Sequence, residues 1–157
     1  MAATAAEDEE KHEQAVEEYR RDFPGDPAVD LMCHDSHMIA ERYDEALAGC
    51  DRIAKAVGGD PYLDVVRGNI LVAANKPDEA AKRAEQALAA EPELKELVQL
   101  LQADIALAKE DYPALAKPLR TLETEHGRDM SGVTTDEAYA DFRESSQYQQ
   151  WAKERKK

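Results

Sequence analysis

A proline-marked helical hairpin recurs along this chain at a nearly constant interval, and that interval limits what the chain can fold into. The clearest copy runs from Asp60 to Pro92. Asp60-Pro61 supplies an N-cap residue and a proline at the first helical position. Asn75-Lys76-Pro77 breaks this helix, because proline offers no N–H and its ring clashes with the preceding turn. Pro77-Asp78-Glu79 opens a second helix to about Ala90, and Glu91-Pro92 ends the pair. The pattern recurs 34 residues earlier, where Asp26-Pro27 matches Asp60-Pro61 and Tyr43-Asp44-Glu45-Ala46 matches Pro77-Asp78-Glu79-Ala80. It appears again 35 residues later, from about Glu96, with Glu110-Asp111-Tyr112 as the break and Leu115 in place of Ala80. A period near 34 residues belongs to stacked helical hairpins, none of which buries its apolar face alone.

The middle unit carries Gly68 and Leu71 in its first helix, Ala80, Ala84 and Ala87-Leu88 in its second, and Pro92 at its end. The first offers Tyr43, Ala46, Cys50 and Ile53, and the third offers Ala103, Ala106, Tyr112, Leu115, Leu119 and Leu122. On these residues the chain resembles the tetratricopeptide repeat family, over roughly Pro27 to Gly127. It departs from the family pattern at Asp64 and Ala84, where aromatics are usual, at Arg67, where an apolar residue is usual, and at His34, where a small one is. The resemblance implies an all-α fold: a right-handed α-solenoid of about three hairpins with capping helices at both ends. The expected division is residues 1–6 disordered, 7–26 an N-terminal helix or half repeat, and repeats at 27–60, 61–95 and 96–127. Residues 128–157 form a linker and C-terminal capping helices.

Composition agrees with close-packed helices rather than a sheet. Hydrophobic residues make up 43% of the chain, mostly alanine and leucine, and aromatics only 6%. Few stretches combine Val, Ile and Thr, so no sheet is expected. A formal net charge of -14 argues against nucleic-acid and anionic-membrane partners, which require basic patches. The tail Lys153-Glu154-Arg155-Lys156-Lys157 reads as a solubilising end that complements a helix C-terminus. No run of apolar residues is long enough to span a bilayer. Residues 1–6 lack the basic and apolar regions of a signal peptide, so the cytoplasm is the default compartment and a mature exported domain is the alternative.

Toward the ends, Ala15, Val16, Tyr19 and Phe23 give a helix over Glu7–Asp22 an apolar stripe. Glu93–Lys109 and about Pro113 to Glu125 are predicted as the last hairpin, with Pro118 kinking its second helix. Arg128–Thr134 reads as a linker. Thr134-Thr135-Asp136-Glu137 resembles a capping box for a helix to about Arg143. Ser145-Ser146 can cap a last helix through Trp151. Tyr139, Phe142, Tyr148 and Trp151 make this tail apolar, either as a cap over the last repeat or as a docking peptide.

The columns of the first helices carry the functional expectation. Leu31, Asp35 and Met38 recur as Val65, Asn69 and Val72, and again as Leu100, Asp104 and Leu107. Each triplet has i, i+4, i+7 spacing and lies on one helix face. By the resemblance, these faces would line a concave groove. Asn69 can hydrogen-bond an extended backbone through both donor and acceptor, while Asp35 and Asp104 prefer a basic ligand. The competing reading is that the same residues pack against neighbouring helices. No Lys or Arg stands in the columns, so a clamp for a terminal carboxylate is not expected.

Other chemistry is sparse. His34, His37 and Glu41 are the one cluster with metal-ligand character, against the simpler reading of histidines packed between helices. Cys33 and Cys50 sit 17 apart on antiparallel helices, as buried thiols or, in an exported protein, a disulfide. Catalytic triads, phosphate loops and C-x-x-C pairs are absent from the sequence. The expected function is therefore a non-catalytic scaffold that needs no cofactor and binds a basic or apolar peptide or helix in its groove. The alternatives are a self-assembling module with a self-filled groove and a metal or redox sensor.

Overall fold

The computed structural model of the chain describes residues 2–155, with the side chains of residues 11, 12 and 14–155. The described residues form helices and turns without strands, and none of these helices is long and apolar enough to cross a membrane. The chain divides into two compact units, residues 1–60 and 61–157.

The first unit holds α1 (Ala2–Asp22), α2 (Ala28–Ile39) and α3 (Tyr43–Val57). Of the stretch expected to be disordered, Met1 lies outside the described residues and Ala2–Ala6 are helical, so α1 starts five residues before Glu7. Four alanines there, the best helix formers, extend it. Its small core joins Val16 of α1 to Val29 and Cys33 of α2, with Tyr19 and Met32 packed alongside. Asp26 ties the α1–α2 corner: its carboxylate accepts from the Ala28 N–H and the Tyr19 hydroxyl, both at 2.9 Å. The backbone bond first, then the tyrosine, hold its pKa below the ordinary carboxylate value. A fork of Arg52 on the Asp30 carboxylate joins α3 to α2. Gly58, left-handed at φ 83°, ends α3, as its position predicts.

The second unit contains two hairpins, α4 (Pro61–Ala73) with α5 (Pro77–Ala90), and α6 (Lys95–Ala108) with α7 (Tyr112–Thr124). Alanines at 80, 84 and 87 are buried and let α5 lie close on α4. Gly68 permits a closer approach still. A Cβ there would sit 2.3 Å from Leu101 Cδ2, and Leu101 is only 1% exposed, so it has no room to retreat. Gly68→Val is expected to lower stability by about 3 kcal/mol, as overpacked cores do, measured as a shift in urea midpoint at unchanged m-value.

The internal period is written in the backbone. Glu41, Asn75 and Glu110, spaced 34 and 35 apart, all have left-handed φ, at 55°, 57° and 54°. The next N–H in each case reaches back to close the helix: Arg42 to His37 O, Lys76 to Leu71 O and Asp111 to Ala106 O, at 2.8, 2.8 and 2.9 Å. All three hairpins thus end their first helix in the same Schellman turn, satisfying carbonyls that would otherwise lack partners. Two of the three left-handed residues are glutamates, which pay a steric cost glycine avoids. Glu41→Gly and Glu110→Gly are each expected to stabilise the chain by up to about 1 kcal/mol, read from thermal unfolding.

The C-terminal segment folds back on the last hairpin. The expected linker contains a helical turn, α8 (Gly132–Thr135), because Met130 and Val133 are apolar enough to enter the core. A single 3-10 turn over Glu137–Tyr139 leads into α9 (Ala140–Glu144), and α10 (Ser146–Glu154) follows. Asp136 accepts from the Ala138 N–H and Ser145 from the Tyr148 N–H, so both stand as caps. Phe142 and Trp151 are 0% and 1% exposed, in one core with Leu115, Leu119 and Leu122 of α7. Pro118 is buried inside α7, which continues through it from Tyr112 to Thr124. Arg155 stacks over the Trp151 ring at 4.5 Å and its guanidinium donates to Glu123 at 2.6 Å.

Candidate functional site

The second unit carries a groove of about 620 Å³ between α4 and α6. Tyr62, Val65, Asn69, Val72 and Ala73 form one wall, and Leu97, Leu100, Asp104, Leu107 and Ala108 the other. Both walls are first helices of hairpins, held in place by the Gly68–Leu101 contact. Six residues singled out in the sequence therefore come together here. Leu31, Asp35 and Met38 lie on α2 of the first unit, where Leu31 is 63% exposed.

The six residues do different work. Val65 is buried and belongs to the packing between helices, whereas Val72, Leu100 and Leu107 are half-buried and leave apolar surface to the groove. Asn69 and Asp104 are exposed, one on each wall. Sequence reading missed Tyr62 and Leu97, yet the signal was there. Each lies three residues before a column residue, Val65 or Leu100, and extends the same helical stripe.

Asp104 has no hydrogen bond or ion pair among the described residues. Surrounding side chains take enough water from it to raise its pKa above the ordinary carboxylate value, although part of the side chain stays open to solvent. Tyr139, from the C-terminal segment, has its phenol raised by burial and then by the Asp104 and Asp136 charges. No Lys or Arg lines the groove, and Lys109, one residue beyond it, donates to Asp78 at 2.7 Å. The groove is thus apolar with one unneutralised carboxylate.

A raised carboxyl pKa means that the folded state holds its proton more tightly than the unfolded chain. Its contribution therefore favours folding at low pH and is lost as pH rises from about the ordinary aspartate value of 3.8 through the folded value. Asp104→Asn removes the titrating group. The variant's stability advantage over the wild type is expected to grow across that window, measured by urea unfolding at acid and neutral pH.

The remaining candidates do not assemble. Among the described residues, no group of three His, Cys, Asp or Glu side chains is placed to hold a metal ion. The His34, His37 and Glu41 set fails because α2 ends at Ile39, and Glu41, at φ 55°, has already left the helix. Cys33 and Cys50 are both buried and are not joined by a disulfide. The groove-lining residues come from α4 and α6, and Leu100 and Leu107 also pack against the core that holds Phe142 and Trp151. Comparison with protein-family models, curated proteins and solved structures gives no match.

Proposed function

We propose that this chain is a non-catalytic interaction module of the tetratricopeptide type, and that the α4–α6 groove receives an extended peptide segment with apolar side chains around a lysine or arginine. The supporting observation is Asp104: a carboxylate without a partner in an apolar groove. Desolvating a charge is unfavourable unless it meets an opposite one, and the chain's net charge of -14 draws basic ligands toward it. Asn69 on the facing wall offers a donor and an acceptor to a peptide backbone. Three hairpins ending in identical turns support the repeat architecture on which this reading rests.

The test is fluorescence anisotropy with labelled decapeptides of alternating apolar residues that carry Lys, Gln or Glu at the centre. The lysine peptide should bind in the micromolar range, about -8 kcal/mol. Asp104→Asn should weaken it roughly 10- to 100-fold, as expected for a charged hydrogen bond, while leaving the glutamine peptide unaffected. Val72→Glu and Leu107→Glu, checked for retained helicity, should abolish binding of both. Equal binding of all three peptides, or none, would sink the proposal, and a mass that rises with concentration would then assign the groove to self-assembly.

A further inference from the structure

A second cavity, of about 360 Å³, lies within the first unit, where α1 meets α2. His12, Glu17 and Arg20 reach it from α1, Ser36 and His37 from α2, and Arg42 from the turn that follows. Val16 and Cys33 supply its apolar floor. Among its described lining residues, two guanidinium groups and two imidazoles accompany one carboxylate, in a protein of net charge -14. That carboxylate is already engaged, since Arg20 Nη1 donates to Glu17 at 3.0 Å. The Ser36 hydroxyl is engaged too, donating to the Cys33 carbonyl.

Two groups remain. The Arg42 guanidinium has no hydrogen bond or ion pair among the described residues. His37 Nδ1 is buried with no partner. Their relative placement is set by the Schellman turn, in which the Arg42 N–H donates to the His37 carbonyl at 2.8 Å. Arginine forks and imidazole N–H groups directed into one space are the donors that phosphate oxygens take. We infer that this pocket binds a phosphate group, with the Arg42 and Arg20 guanidinium groups as its charged donors and the His37 imidazole as a third group against the anion.

A pH dependence follows. Burial, then the Arg42 charge, hold His37 below its ordinary pKa, with Arg52 acting in the same direction and Glu45 and Asp30 opposing. His12, Arg20 and Glu17 face the same space from α1. A bound dianion reverses the balance and favours the protonated imidazole, so affinity should rise as pH falls. The gain is at most about tenfold for each unit by which the bound phosphate raises the His37 pKa.

The experiment follows the imidazole C2–H resonances of the full chain by NMR while inorganic phosphate is added at constant ionic strength. His37 should shift saturably, with half-saturation at about 1 mM, near -4 kcal/mol. Arg42→Gln and, independently, His37→Gln read through His12 should weaken this at least tenfold while circular dichroism stays helical. Arg155→Gln, in the other unit, should change nothing. A shift that never saturates, one that acetate or chloride reproduces equally, or one that persists in a folded Arg42→Gln variant would overturn the assignment.

Discussion

Phe142→Ala is expected to destabilise the second unit by about 4 kcal/mol, within the range for emptying a buried aromatic site. The ring is fully buried and touches three others: Tyr112 at 5.7 Å, Tyr148 at 5.6 Å and Trp151 at 6.5 Å between centroids. Its removal leaves a void beside α9, which is only five residues long. Trp151→Ala should cost a similar amount. The two losses should not add, because both residues line one cluster. Urea unfolding followed by far-UV circular dichroism measures this. A loss under about 1 kcal/mol would mean that the C-terminal segment is an appendage and not part of the core of the last hairpin.

Asp64→Ala should cost about 3 kcal/mol, the scale for breaking a buried ion pair. Asp64 Oδ1 accepts from Arg67 on its own helix and from Arg83 on α5, each at 3.1 Å. Arg67 is 8% exposed, and among the described residues it stands as the buried charged one. Removing the carboxylate takes from both guanidinium groups the acceptor oxygen they share. The companion experiment replaces both members: Asp64→Tyr with Arg67→Leu should recover the loss, because buried pairs exchange for apolar residues at little or no net cost. A double variant as unstable as Asp64→Ala alone would show that the ion pair sets the α4–α5 geometry.

This pair also shows how far the sequence could be read. Asp64 and Arg67 both stand out as departures from the repeat pattern, one replacing an aromatic and the other an apolar residue. Taken singly they count against the fold. In the structure they explain each other, since a charge at one position is matched by its opposite one turn away. Asp104 is a similar case. Its place in the column was legible from i, i+4, i+7 spacing, but its loss of water depends on helices that sequence distance keeps apart. The metal reading failed for a local reason: the left-handed residue at Glu41 ends the helix before the ligand spacing is complete.

The sequence by itself determined where the hairpins begin and end. Prolines, caps, the glycine after α3 and the apolar period act over one or two turns, and local chemistry needs no partner to be read. Only the tertiary structure decided which of those surfaces are used. It brought α4 and α6 close enough at Gly68 to frame a groove. It turned the aromatic tail into core, and it placed unpartnered Arg42 beside a buried His37 nitrogen. Each of these outcomes depends on packing between helices, which fixes what water is excluded and hence the energy of every charge nearby.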